Sequence, residues 1–246
     1  MGTRRRFAPL GSNSAGAPAG GDGVPVLRGI VFDMDGTLCE PQNTMFTQMR
    51  HHLNIPPQTD ILQHIDSLPP SHQSPAHDTI RAIELRYMAA QTPQPGLTTL
   101  MRFLDQHAIP KAICTRNFDA PVQHLLEKFL QGSRFEPVLT REFRPCKPDP
   151  AGILHIARQW GLGDGDDGEG DASGMIMVGD SMDDMEAGRR AGAATVLLVN
   201  EANRELGEHE CTDLVIERLD ELVGVLEKGF EGREIGGGGL DGDTTV

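Results

Sequence analysis

The chain has 246 residues, 38% of them hydrophobic, and carries 22 Lys+Arg against 36 Asp+Glu for a formal net charge of −14 at pH 7. That balance excludes general affinity for nucleic acid or for an anionic membrane surface, because both need a positive field. The length and apolar content suit one domain of ordinary size with room for a small insertion.

The N-terminal stretch MGTRRRFAPLGSNSAGAPAGGDG has three arginines and no acid before Asp22, a faint echo of a mitochondrial leader. Its glycines and prolines oppose an amphipathic helix, so residues 1–25 read as a flexible tail. The Met-Gly start would suit myristoylation only with Ser or Thr at position six, where Arg6 stands. No apolar run approaches the roughly 18 residues of a membrane span. The four cysteines are scattered, without a CxxC pair, which argues against a disulfide framework or a zinc site. The resulting placement is cytoplasmic, with mitochondrial as the alternative.

Residues 26–33 read as a buried strand that ends on Asp33 and Asp35. Three later runs are alike: KAICT (111–115), MIMVGD (175–180) and ATVLLVN (194–200). Helical spacing appears at 96–109, 120–130, 150–161 and 183–192, with Pro or Asp near several starts and Gly near several ends. Short continuous apolar runs alternating with helices predict an α/β fold, a doubly wound parallel sheet. Strand–helix–strand units take about 30 residues. Thr115 to Lys147 spans 32 residues and Lys147 to Asp180 spans 33, but Asp33 to Thr115 spans 82. An insertion therefore follows the first strand.

That insertion, 40–95, holds short helical patterns at 43–53, 59–68 and 76–91 broken by Pro-rich turns, and reads as a small helical cap. The core is expected over 26–39 and 96–229, with a disordered Gly-rich tail over 230–246. Five of the nine histidines, with Arg50, Arg81 and Arg86, fall in the cap; they read as a polar lid surface ahead of an anion grip. The acidic stretch 163–174 fails the EF-hand pattern, having Glu169 and Met175 where Gly and Glu are required, and reads as a solvated loop.

Ligands of a parallel α/β sheet bind beyond the carboxyl ends of its strands. The polar residues at those ends are Asp33, Asp35, Thr115 and Asp180, and Lys147 follows the candidate strand 135–140 through a loop. Carboxylates sharing one crevice repel one another unless a divalent cation sits among them, and a hard ion such as Mg2+ suits a set without His or thiol. Magnesium in turn favours phosphate chemistry.

These residues resemble the four motifs of the haloacid-dehalogenase superfamily, in its aspartate-nucleophile phosphatase branch. DMDGTL resembles the first motif, the Thr of ICTRN the second, the Lys of RPCKPDP the third and GDSMDDMEAGRRAG the fourth, over about residues 26–226. The resemblance is to phosphoglycolate-phosphatase-like members with a small helical cap. It implies a Rossmann-like core and a magnesium-dependent phosphomonoester hydrolase that acts on a small phosphorylated metabolite through an aspartyl-phosphate. Asp33 would be the nucleophile and Asp35 the acid and base. Thr115, Lys147, Arg116 and Asn117 would bind phosphate, and Asp33, Asp35, Asp180 and Asp184 would hold the metal, with Asp183 a rival to Asp184. A phosphosugar mutase of the same superfamily and a non-catalytic binding or regulatory protein are the alternatives. Carbon–halogen hydrolysis is opposed by the acid at Asp35, and Schiff-base phosphonate cleavage by a cap without lysine, since the first lysine is Lys111. No sequence signal assigns an oligomeric state.

Overall fold

A computed structural model describes residues 6–7, 9–10, 25–163, 168 and 170–233. The readings made on the leader and myristoylation start, on 164–167 and Glu169, and on the tail from 234 lie outside the described residues.

In chain order, β1 (Arg6–Phe7) and β2 (Gly29–Phe32) precede three helices, α1 (Asn43–Leu53), α2 (Ile61–Ser67) and α3 (Pro70–Met88). Then come α4 (Leu97–Gln106), β3 (Lys111–Cys114), α5 (Asp119–Phe129), β4 (Val138–Leu139), α6 (Ala151–Gln159) and β5 (Met175–Gly179). The chain continues through α7 (Met182–Ala191), β6 (Ala194–Leu198), β7 (Leu214–Ile216), α8 (Glu221–Lys228) and β8 (Phe230–Glu231).

Six strands form one sheet in the order β4-β3-β2-β5-β6-β7, and every neighbouring pair is parallel. The chain winds outward from β2 through β3 to β4, then returns to the other side of β2 and winds outward again. That reversal opens a crevice past the ends of β2 and β5. Alternate strand residues face opposite layers, as the two-residue period of a strand requires. Ile30, Phe32, Ile113, Ile176 and Val178 join the layer with α4, α5 and α8; Val31, Ala112, Met175 and Met177 join the layer with α6 and α7. Both faces are thus covered, which is why these strands read as unbroken apolar runs.

Between β2 and α4, α1 to α3 pack around a small core of their own, centred on Met45, Met49, Ile65, Ile80 and Ile83. The two chain crossings to this cap run side by side. Glu40 N donates to the Thr92 carbonyl (2.9 Å) and Gln94 N to the Leu38 carbonyl (3.1 Å).

Three details differ from the sequence expectations. The strand β7 and helix α8 were not anticipated, because β7 has three residues and one of them, Val215, is exposed. Helix α3 starts at Pro70 and runs through Pro75, where the prolines suggested a break; Pro70 takes the first helical position, where an N–H has no intrahelical partner anyway. Finally, parts of both expected tails are ordered: Arg6–Phe7 pairs antiparallel with Phe230–Glu231. Phe7 and Phe230 are buried and meet edge to face with centroids 5.7 Å apart, an anchor that average tail composition conceals.

Candidate functional site

The strand β2 delivers Asp33 to the crevice, where Asp33 N donates to the Val178 carbonyl of β5 (3.0 Å). The chain then tightens. Thr37, Leu38 and Cys39 all direct their N–H to the Met34 carbonyl, and Gly36 adopts a φ of +85°. Glycine is needed there twice over, since a Cβ would also lie 2.1 Å from Asp180 Oδ2. This turn puts Asp35 beside the crevice and points the chain into the cap.

From β3, Thr115 is buried and its Oγ1 accepts from Asn117 N (3.1 Å). Lys147, on the loop after β4, is buried and donates Nζ to Asp33 Oδ1 (2.7 Å) and to Asp184 Oδ1 (2.5 Å). At the end of β5 stands Asp180. The start of α7 is held by a capping box in which Asp184 Oδ2 accepts from Ser181 N (3.0 Å) and Ser181 Oγ (2.6 Å). Asp33, Asp180 and Asp184 each bring a carboxylate oxygen within 4.8 Å of the others. Asp183 turns instead to Arg116.

All of these groups except the buried Asp184 line a cavity of about 510 Å³ between the sheet end and the cap. Arg116 and Asn117 line it too, but their side chains are already engaged. Arg116 Nη2 holds Asp60 of the cap through both carboxylate oxygens (2.7 and 2.6 Å), and its Nη1 donates to Asp183. Asn117 Nδ2 donates to Asp35 Oδ2 (2.7 Å), and its Oδ1 accepts from Phe118 N (2.8 Å), which fixes the amide orientation. Of the cap histidines and arginines singled out in the sequence, only Arg50 lines the cavity.

Crowding of acids shows in their proton affinities. Burial pushes the Asp33 carboxyl up to about 7, helped by Asp184 and Asp35 and opposed by Lys147. Burial, with the charges of Asp33 and Asp184, raises Asp180 well above the usual carboxylate range. Burial also raises Asp35, against its hydrogen bond from Asn117. Lys147, by contrast, is held fully charged: its carboxylate neighbours Asp184 and Asp33 outweigh the cost of burial.

Several residues at this site were not anticipated. Glu84 of α3 and Arg141, which follows β4, form a buried ion pair between cap and core, and burial raises the Glu84 carboxyl to about 7 against the pull of Arg141. Asp60 anchors Arg116, and Gln94 Nε2 donates to the Gly36 carbonyl (2.6 Å). Asn203 Nδ2 donates to the Asp180 carbonyl (2.7 Å) and to Leu198 O (3.1 Å). No local motif marks these positions; the contacts join residues 23 to 58 apart in the chain, apart from the Asn203–Leu198 bond.

Residues 27–192 match the family model of the haloacid dehalogenase-like hydrolases. The chain belongs to that family. An uncharacterized hydrolase of Saccharomyces cerevisiae is 44% identical over 211 residues, which cover 83% of this chain and 93% of the yeast protein. A phosphoglycolate phosphatase of Agrobacterium fabrum is 27% identical over 189 residues, 68% of this chain and 78% of its own. A hydrolase structure from Pseudomonas syringae superposes with a TM-score of 0.64 at 21% identity, over 81% of this chain and 98% of that one, a likeness of fold. The chain is thus an enzyme, a haloacid dehalogenase-like hydrolase. Among the described residues no helix is long and apolar enough to cross a membrane.

Proposed function

We propose that the chain is a magnesium-dependent phosphomonoester hydrolase that works on a small phosphorylated metabolite through an aspartyl-phosphate on Asp33. The observation that carries this reading is the Asp33, Asp180 and Asp184 cluster beside the Lys147 ammonium at the end of β2 and β5, with Asp35 on the cavity side.

Three clustered carboxylates, two of them buried, without His or thiol among them fit a hard, oxygen-liganded divalent cation, and the raised affinity of Asp33 and Asp180 for protons accords with a site that takes up positive charge. Asp33 and Asp180 would hold it, with the Asp35 backbone carbonyl. Asp184, whose oxygens take Lys147 and Ser181, would serve chiefly to orient the set. When bound, Mg2+ supplies positive charge that keeps Asp33 ionised and offsets the charge of the phosphoryl group.

The reaction needs an ionised nucleophile, a proton donor and fixed positive charge. Asp33 attacks phosphorus as the ester P–O bond breaks, and Asp35 passes its proton to the departing oxygen. Water then attacks the aspartyl-phosphate, Asp35 takes a proton from it, and inorganic phosphate leaves Asp33 regenerated. Burial favours the protonated form of Asp35 that the first half needs, and Asn117 Nδ2 keeps its carboxyl aimed. Lys147 and the Thr115 hydroxyl hold the phosphoryl oxygens through the transition state. A reducing, cytoplasmic setting accords with the four free cysteines.

The test is a phosphate-release screen over small phosphate esters with and without Mg2+, followed by acid quenching and capture of phosphorylated protein. Metal-dependent release with label on Asp33 is expected. Isomerised ester in place of free phosphate would point to the mutase, and no turnover of any ester to a binding protein.

A further inference from the structure

We propose that Glu84 recognises the alcohol portion of the substrate by accepting a hydrogen bond from a hydroxyl or ammonium group on it. The favoured substrates are then hydroxylated or amino-bearing phosphomonoesters, and esters carrying a second anionic group are disfavoured. The proposal rests on the phosphatase reading above and narrows its substrate class.

Glu84 reaches the cavity from α3, with its side chain only 7% exposed. One carboxylate oxygen, Oε1, takes Arg141. The other, Oε2, is buried and has no hydrogen-bond partner among the described residues. A buried carboxylate oxygen left without a donor is costly, so a site that keeps one is built for a donor that arrives with the ligand. The position suits the alcohol portion of an ester. Asp35, which protonates the departing oxygen, lines the same cavity. Arg141 also ties to the loop after β3, which carries Thr115, its backbone N–H donating to the Asn117 carbonyl (2.8 Å).

The rest of the cap wall agrees. Phe46, Met49, Ile61, Leu62 and Ile80 offer an apolar surface for a carbon skeleton. Of the arginines lining the cavity, Arg116 is already paired with Asp60 and Asp183, and Arg50 gives its Nε to the Thr59 carbonyl (3.2 Å). A carboxylate or second phosphate beside Glu84 would bring a further acceptor where Oε2 lacks a donor. Site groups that hydrogen-bond a substrate donor discriminate strongly, because the wrong ligand leaves them unpaired.

Four probes test this: glycerol 1-phosphate, O-phosphoethanolamine, ethyl phosphate and 2-phosphoglycolate. In the unmodified protein the glycerol and ethanolamine esters should exceed the other two in kcat/KM by about tenfold, the scale of one hydrogen bond to a charged group. Their ranking tells which donor, hydroxyl or ammonium, is preferred. In Glu84→Gln the amide can still accept from Arg141 but presents N–H where Oε2 was. The advantage of the donor-bearing esters should collapse while ethyl phosphate stays within about twofold. An equal loss on ethyl phosphate would reduce Glu84 to a strut between cap and core and overturn the proposal. So would a preference for 2-phosphoglycolate. The same four esters are titrated onto Asp33→Asn by calorimetry, so the binding order decides the point even if no ester is hydrolysed and the phosphatase reading fails by itself.

Discussion

The sheet end and the cap face one cavity, but they hold their polar groups by different means. On the sheet side, Asp33 and Asp180 sit directly at strand ends, and Lys147 and Asp184 are locked by bonds of 2.5 to 3.0 Å among themselves and Ser181. On the cap side the polar groups ride on helices with a separate small core, tied back through Arg116–Asp60, Arg141–Glu84 and the paired crossings at 38–40 and 92–94. A group that must meet phosphorus at bonding distance belongs on the rigid side, and a group that must accommodate one alcohol or another belongs on the side that can shift. Changes on the sheet side should therefore act on the chemical step, and changes in the cap on which ester is chosen.

Asp33→Asn should bear this out most severely. The amide preserves shape but is a poor nucleophile, so kcat should fall by about 10⁴-fold or more while ligand binding survives. Near-native turnover, measured by phosphate release, would remove Asp33 from the mechanism. Lys147→Ala should follow, with kcat lower by about 10²- to 10³-fold from the lost charge on the phosphoryl group. It should also cost stability, on the order of 3 to 5 kcal/mol, because Asp33 and Asp184 are left buried without their cation. Chemical denaturation with and without Mg2+ checks this, and added metal should return part of the loss.

Proton linkage offers a subtler contrast, confined to the sheet side. Asp33 has a folded value of about 7 against an ordinary 3.8, and Asp180 is raised as well. Between those values these carboxyls hold more protons in the folded protein than in the unfolded chain, so their contribution to stability without metal is full at low pH and falls as pH rises toward 7. Magnesium should reverse the trend. Its affinity should climb over the same range as it displaces those protons, by up to about tenfold per pH unit for each proton released. Thermal melts at pH 5, 6 and 7 with and without Mg2+ would show the two slopes; a metal-independent slope would separate the cluster from metal binding.

The same division explains what could be read from the sequence. Asp33, Asp35, Thr115 and Asp180 announce themselves because a strand end concentrates a sharp change from apolar to polar, and Lys147, on a loop, only through its spacing from Thr115 and Asp180 and the motif around it. The parallel order follows from runs that are apolar on both faces, such as Met175 to Val178. Glu84 and Arg141 gave no such sign. Each is one charged residue on an otherwise ordinary segment, and only the fold of the cap over the core makes them a pair. The Phe7 and Phe230 anchor was hidden for the same reason, since its partners lie at opposite ends of the chain.

Arg116 belongs to both sides at once, and its removal should have the mildest consequence. It follows Thr115 on the sheet side, yet its guanidinium spans Asp60 at the start of α2 and Asp183 in α7, so it works as a strap between cap and core. The guanidinium is a quarter exposed, and such a pair contributes little to overall stability. Arg116→Ala should therefore leave the melting temperature nearly unchanged, while the cap closes less firmly over the ester. The expected result is a KM several-fold higher, with kcat changed by less than about threefold, because no atom of Arg116 is needed on the phosphoryl group. Arg116→Lys should recover part of the effect on KM, since an ammonium can hold one of the two carboxylates but not both in the fork geometry of the guanidinium. A kcat lowered by a factor comparable to Lys147→Ala would instead put Arg116 among the groups that hold phosphate, and the strap would then be what the ligand displaces.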